Sequence, residues 1–316
     1  MTEIFKLLKK GSISSLWACI VNAIVAAMKG IAFLITGNVA MFAELMHSIG
    51  DTANQLFVFL GSAFSNKEPT DRFPDGFARL INLVLLGAVI IVGILAYETV
   101  KKGIDHIINP PTSTDWLWLN VGVLGSAMVF EAIVWFKAMK EITEDLTDDD
   151  VKGFNILKKS FEHIGEAKQA TKLVFLEDMV ATLGALIAIS AVLIGAFTPF
   201  HSAEGYASVI IGLMLFFVVG RIFLDNVAGV LGVSDENMEA KIGKIVYSEP
   251  DIKDIQKLMV IREGNELHVE LNIELESDMT IGEADKIHHR IEEKILGQKG
   301  VADVIIEFDE HDGIPE

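Results

Sequence analysis

Three ionisable side chains, Glu44, His47 and Asp51, lie within a stretch that otherwise has the apolar character of a buried or membrane-spanning helix. Offsets of three and seven residues place them on one helical face, because 3.6 residues make one turn. Ionisable groups are costly in such a setting and usually have a function. Imidazole and carboxylate groups bind first-row divalent cations, so the spacing indicates a metal site.

A second acidic pair, Glu177 and Asp178, lies near the start of another apolar run. Neighbouring helical positions point about 100° apart, so we expect at most one of the two to face a shared site directly. Metal binding requires a neutral His47 and ionised carboxylates, which links it to proton release and provides a basis for metal/proton exchange. The alternative interpretation is a structural polar network without a metal.

Long apolar runs must position these side chains. Of the 316 residues, 51% are hydrophobic, and they are concentrated in the first three-quarters of the chain. The runs are close to the ~20 residues that a bilayer demands. We therefore predict an α-helical membrane domain with six transmembrane helices over residues 1–231. The six runs cover approximately residues 12–35, 39–64, 80–100, 116–139, 173–197 and 206–224.

Basic residues set the expected orientation. The N-terminal stub and the loops after the second and fourth runs hold most of the loop lysines and arginines, whereas the opposite side has only Lys101 and Lys102. The positive-inside rule then places both termini in the cytoplasm. We expect a multi-pass integral protein of the inner (plasma) membrane of a prokaryote.

Residues 232–316 differ in character and are predicted to form a small cytoplasmic α+β domain. Alternating apolar residues between 268 and 275 indicate a half-buried strand. The predicted α-β-β-α-β order suggests a reduced ferredoxin-like unit. Residues 235–316 contain nine Lys/Arg and 22 Asp/Glu, and this acidic balance argues against a nucleic-acid partner. The predicted elements are a helix at 235–247, strands at 257–262 and 268–275, a helix at 280–296 and a strand at 301–308.

Several function classes are disfavoured. Cys19 is the one cysteine, which excludes an internal disulfide and a cysteine-based zinc site. We find no nucleophile–base set, P-loop or dinucleotide fingerprint, so we expect no enzyme activity. No cofactor is expected beyond a transported divalent metal, for which zinc is favoured.

Together these features resemble the cation diffusion facilitator family of zinc and related metal transporters, over nearly the whole chain. The shared pattern combines Asn and Lys in the first span, an intramembrane HxxxD in the second, an acidic motif in the fifth and an α-β-β-α-β tail. The residues that carry it are Asn22, Lys29, Ala43–Glu44, His47-Ser48-Ile49-Gly50-Asp51, the loop FPDGFAR at 73–79 and EADKI at 283–287.

The fifth span departs from the family's usual HxxxD motif. If Asp178 is the aspartate of that motif, Val174 occupies the first ligand position and has no metal-binding atom. The Glu-Asp pair, with Asn54-Gln55 and Glu131, resembles a branch that includes mitochondrial zinc transporters. The resemblance then implies a site of His47, Asp51 and Asp178, with Glu177, Glu44 or water as the fourth ligand.

The resemblance also implies a homodimer, formed through the transmembrane and C-terminal domains, that exchanges a divalent metal for protons across the lipid bilayer by alternating access. Two alternatives remain open: transport of iron, manganese or cobalt, and a non-transporting scaffold or regulatory role. In the tail, Asn272, Asp285 and Glu307 stand where relatives often have metal-binding histidines, so a strong zinc-sensing site is not expected. His268, His288, His289 and His311 are expected to be surface histidines.

Overall fold

The computed structural model describes residues 7–74, 76–111, 116–143, 155–164, 169–264 and 266–311, without the side chains of residues 169, 170, 172 and 173. Contacts divide the described residues into two compact units. One comprises Ser12–Phe59 and Leu85–Leu224, and the other comprises the remaining described residues. The domain division predicted after residue 231 stays a prediction.

The membrane part is built from long helices. In chain order the elements are α1 (Ile13–Thr36), α2 (Val39–Ser65), α3 (Leu80–Ile108), α4 (Leu117–Ile142), α5 (Asn155–His163), α6 (Gln169–Phe197), α7 (Ala203–Leu231), β1 (Val233–Ser234), α8 (Glu236–Tyr247), β2 (Asp254–Glu263), β3 (Glu266–Leu275), α9 (Ile281–Leu296) and β4 (Val301–Glu310). Among the described residues, α1, α3, α4, α6 and α7 are long and apolar enough to cross a membrane. These five helices indicate a multi-pass membrane protein. The polar residues of α2 lower its mean hydropathy, so six spans stay a prediction.

Helix α3 contains the apolar run predicted at approximately residues 80–100 and continues beyond it to Ile108, just before the Pro110-Pro111 pair. Lysine is a good helix former, whereas the proline at 110 cannot continue the helix. The Lys102 ammonium lies 4.8 Å and 4.4 Å from the ring centroids of Phe33 and Phe42. These cation–π contacts accommodate its charge, so α3 continues through Lys102 without interruption.

A tight turn joins α1 to α2, in the short interval between the first two predicted runs. Gly37 has a φ of 63°, a conformation that glycine adopts without steric cost, and its N–H donates to the Phe33 carbonyl. The Asn38 side chain then caps α2 by accepting from the Met41 N–H at 2.9 Å. The turn therefore makes α1 and α2 a helical hairpin.

Small residues allow the helices of the first unit to pack closely. Its core combines apolar side chains of α1, α2, α4, α6 and α7, including Ala43, Leu124 and Ile211. On α3, a Cβ added at Gly103 would lie 2.8 Å from the Gly205 carbonyl oxygen of α7, which is too close for any side chain. Only glycine therefore fits at this position. Such close backbone approach favours helix association in a membrane, where apolar burial alone provides little driving force.

The C-terminal elements form a four-stranded mixed sheet in the order β1-β2-β3-β4. The sheet pairs β1 with β2 and β2 with β3 in antiparallel fashion, but β3 with β4 in parallel. The α-β-β-α-β order from α8 onward is as predicted, and the two-residue β1 is an addition. Apolar residues of α8 and α9 pack against alternate β3 side chains such as Val269, Leu271 and Ile273. The ferredoxin-like relationship stays a prediction.

An ion-pair cluster ties α9 to the segment after α8. The Glu249 carboxylate, 5% exposed, accepts from Arg290 Nε at 2.7 Å and from Lys294 Nζ. Lys294 and then Arg290 hold the pKa of Glu249 below its usual range by hydrogen bonding. The pKa is thus lower in the folded state than in the unfolded one. The resulting stability is present above the ordinary glutamate pKa and is lost as pH falls through the folded value.

We predict that Glu249→Gln lowers the unfolding free energy at pH 7 by about 1.5 kcal/mol, discounted for the solvent exposure of both cationic partners. The difference from the wild type should shrink steadily below about pH 4. Thermal unfolding of the detergent-solubilised protein at a series of pH values measures this. Glu270→Gln is the control, because it removes only an exposed pair with Lys257 and should change stability by less than 0.5 kcal/mol. A pH-independent loss at position 249 would contradict the assignment.

Candidate metal centre

Helix α2 places its three ionisable residues along one face, as the spacing predicted. The Glu44 and His47 side chains are 1% and 3% exposed, whereas Asp51 is 33% exposed. His47 Nε2 lies 3.4 Å from Asp51 Oδ2, one helical turn away. An imidazole and a carboxylate are therefore already adjacent within an apolar helix.

Helix α6 adds two carboxylates that both interact with α2. Asp178 interacts electrostatically with Asp51 and His47. Glu177 also interacts with Asp51, and its Oε1 accepts a hydrogen bond from Asn54 Nδ2 at 3.1 Å. The sequence predicted that at most one of the two faces a shared site directly, and this stays a prediction. Both carboxylates interact electrostatically with Asp51, and the Asn54 amide anchors Glu177.

Several possible ligand atoms at this site are buried without a hydrogen-bond partner. Among the described residues they include both ring nitrogens of His47 and Oδ2 of Asp178. Buried polar atoms are rarely left unpaired, because each costs free energy. A bound cation would satisfy them. Among the described residues, no three intramembrane ligand atoms lie within 4.8 Å of one another, so binding would require the candidate ligands to move closer together.

Glu44 belongs to an ion-pair cluster that lies within electrostatic reach of His47 and Asp51. Lys29 Nζ lies 2.9 Å from Glu44 Oε2 and 3.3 Å from Glu131 Oε1, and the lysine is fully buried. The other Glu44 oxygen abuts Gly184, where a Cβ would lie 2.8 Å from it. Two glutamates from other helices thus stabilise the charge of Lys29 in the interior.

Val174 provides no ligand atom, and its side chain is 37% exposed. Sequence reasoning missed two further polar contacts of the helical unit. Asn54 was noted only as part of a family pattern, although its position three residues after Asp51 is a signal that it shares the same face. His106 Nε2 lies 3.8 Å from Glu204 Oε2 where α3 ends and α7 begins, and no spacing rule connects residues so far apart in sequence.

Two family models match this chain. The model of the cation efflux transmembrane domain matches residues 15–231, and that of the cytoplasmic domain of cation efflux proteins matches residues 234–311.

Similar proteins include the mitochondrial proton-coupled zinc antiporter SLC30A9 of Mus musculus, 26% identical over 244 residues, which cover 75% of this chain and 41% of that protein. The manganese efflux system protein MneP of Bacillus subtilis is 22% identical over 92% of this chain and 93% of its own length. The zinc transporter ZitB of Escherichia coli is 22% identical over 76% of this chain and 70% of its own length. The chain thus spans about two-fifths of the length of the mitochondrial antiporters.

The two domain matches cover the helices that carry His47, Asp51 and Asp178 as well as the mixed sheet that follows them. Sequence motifs, helix arrangement and domain matches therefore agree, and the chain belongs to the cation diffusion facilitator family of cation efflux proteins.

Proposed function

We propose that this protein transports a divalent metal cation, with Zn²⁺ as the substrate, across a membrane in exchange for protons. The observation that carries the proposal is the buried His47, whose ring nitrogens lack hydrogen-bond partners among the described residues, beside Asp51 and within electrostatic reach of Asp178. Such a set inside apolar helices has no evident structural purpose and suits a first-row cation.

In this proposal His47, Asp51 and Asp178 are the primary ligands. Glu177 or water provides the fourth, since Glu177 lies beside Asp51 and keeps one oxygen clear of its bond to Asn54. Glu44 instead remains in the ion-pair cluster with Lys29 and Glu131. This arrangement supports a site with one imidazole and two or three carboxylates, which tolerates zinc and also harder cations.

Proton exchange follows from the charge of the ligands. Two carboxylates and a neutral imidazole balance one divalent cation, and two protons would balance the same carboxylates after the metal leaves. The site would then be neutral in both forms, which avoids an uncompensated charge in the membrane. Metal affinity must fall when the ligands gain protons, because protonated carboxylates and imidazolium bind metal poorly.

Alternating access in a homodimer with six spans completes the proposal. Helix α2 would be the sixth span, since its length of 27 residues suffices to cross a bilayer. Both termini would lie in the cytoplasm of a prokaryotic cell, with the protein in the plasma membrane. The match of residues 234–311 to the cytoplasmic domain of cation efflux proteins supports this orientation.

Manganese is a second candidate substrate. The manganese efflux protein MneP matches this chain over nearly the full length of both proteins. The candidate site offers a single imidazole among several carboxylates, and oxygen-rich sites suit Mn²⁺ better than sites with several histidines.

Transport by the purified protein in sealed vesicles tests both candidates. We expect Zn²⁺ uptake to exceed uptake of Mn²⁺, Fe²⁺ and Co²⁺, to accelerate under an imposed pH gradient and to move protons in the opposite direction. Faster uptake of Mn²⁺ would favour the second candidate. Absence of uptake for every metal, with the protein folded and inserted, would instead favour a scaffold or regulatory role.

A further inference from the structure

Two adjacent histidines on α9 share a carboxylate. His288 Nδ1 lies 3.7 Å from Glu292 Oε2, and His289 Nδ1 lies 3.3 Å from the same oxygen. The sequence predicted these histidines to be ordinary surface residues. Among the described residues, they and Glu292 are the one group of three possible metal ligands whose ligand atoms lie within 4.8 Å of one another.

The spacing of these atoms fits a shared ion. A tetrahedral ion with ligands at about 2.1 Å places those ligands about 3.4 Å apart. The two measured separations, 3.3 Å and 3.7 Å, bracket this value. Offsets of three and four residues set this geometry, because residues so spaced are neighbours on a helix surface.

The opposite side of the His289 ring faces another carboxylate. His289 Nε2 lies 3.8 Å from Asp285 Oδ1, one turn earlier on α9. Ligating histidines commonly direct their second nitrogen at a carboxylate, which fixes the tautomer and raises ligand basicity. The His288 ring is held edge-on against Phe308, with centroids 6.1 Å apart. Phe308 thus packs against the His288 ring, and Asp285 lies within ion-pair distance of the His289 ring.

A cavity of about 470 Å³ lies beside the histidines. Apolar side chains such as Met279 and Phe308 form most of its lining, and its charged groups are the carboxylates of Asp285, Glu276, Asp309 and Glu310. Lys253 forms an ion pair with Glu276, but no lysine or arginine is among the described residues that line the cavity. Concave surfaces with one sign of charge concentrate ions of the opposite sign. The surroundings therefore favour a cation over an anion.

We propose that His288, His289 and Glu292 form a second metal site for an imidazole-binding divalent ion such as Zn²⁺, with water completing the coordination. Asp285 is a positioning residue that acts through His289. The three ligands of the site differ from the intramembrane ligands and from positions 272, 285 and 307, where the family resemblance would place tail ligands, although Asp285 lies beside His289. The site does not depend on whether the protein transports metal.

The test uses the full-length, tag-free protein in detergent with the intramembrane site silenced by Asp51→Asn and Asp178→Asn. Calorimetric titration with Zn²⁺ should detect one remaining ion per chain. Adding His288→Ala and His289→Ala should weaken that binding at least tenfold, and Asp285→Asn by a smaller factor. Co²⁺ should give visible absorption bands typical of four-coordination that disappear with the two alanines.

His268→Ala provides a matched control. His268 also contacts two carboxylates, Asp303 through Nδ1 and Glu263 through Nε2, so these contacts cannot share one ion. The His268→Ala substitution should leave the Zn²⁺ affinity within twofold of that of the silenced parent protein. The Glu292→Gln substitution preserves the side-chain shape but should lower the Zn²⁺ affinity. The proposal is overturned if the silenced protein binds no Zn²⁺, or if the double alanine variant, still folded by circular dichroism, binds as tightly as its parent.

Discussion

Asp51→Asn is expected to reduce metal flux in proteoliposomes to the level of protein-free vesicles. Asn has nearly the same shape but cannot supply an anionic oxygen, so the His47–Asp51 pair at 3.4 Å loses its charged member. Disturbing only the outer partners of metal ligands commonly costs 10–100-fold in affinity or activity, so loss of a ligand should cost about 100-fold or more. Initial rates of Zn²⁺ uptake by a fluorescent indicator measure the effect.

Glu98→Gln is the matched control for this experiment. Glu98 is also a carboxylate on a long apolar helix, but it is 48% exposed and pairs only loosely with Lys101, at 3.9 Å. Its substitution should leave uptake within twofold of the wild type. Normal uptake by Asp51→Asn would mean that the α2 residues are a structural polar network and that the metal binds elsewhere.

The parts of this molecule that follow local rules could be predicted from the sequence. The turn at Gly37 and Asn38, the face shared by Glu44, His47 and Asp51, and the alternation along β3 each depend on neighbours within a few residues. Helical and strand periodicity determine which of these residues share a face, whatever the rest of the chain does. For that reason, the candidate site residues on α2 could be predicted from their spacing in the sequence.

Contacts between distant helices could not be predicted in the same way. Lys29 and Glu131 are 102 residues apart, and nothing in the periodicity of α1 or α4 indicates that they meet. The sequence therefore left Glu44 among the possible metal ligands, whereas the structure gives it a lysine partner. The paired histidines of α9 illustrate a different limit, because local spacing alone does not show which ring nitrogen faces Glu292.

The ion-pair cluster of Lys29, Glu44 and Glu131 leads to the largest expected effect on stability. Lys29→Met retains an unbranched side chain of similar length but removes the charge that both carboxylates contact. Removing one member of a buried ion pair commonly costs 3–5 kcal/mol, because the remaining charge is buried without compensation. We expect a loss of about that size, measured by unfolding titrations with a denaturing detergent.

Neutralising both glutamates should reverse most of this loss. In the triple variant Lys29→Met, Glu44→Gln and Glu131→Gln, none of the three cluster residues carries an uncompensated charge. We expect it to recover more than half of the lost free energy, whereas Glu44→Gln and Glu131→Gln with Lys29 intact should be destabilising. Neutralising the glutamates would then lower the free energy of unfolding when Lys29 is present and raise it when Lys29 is replaced. Coupled residues produce such a change of sign in a double-mutant cycle.

A lysine on an exposed surface separates the effect of burial from that of charge. Lys101→Met removes an ammonium that is 55% exposed and only 3.9 Å from Glu98, so it should change stability by less than 0.5 kcal/mol. If Lys29→Met were equally mild, the buried pairs of Lys29 would contribute nothing measurable. Glu44 would then be available to the metal, and its place as a fourth ligand beside His47 and Asp51 would have to be restored.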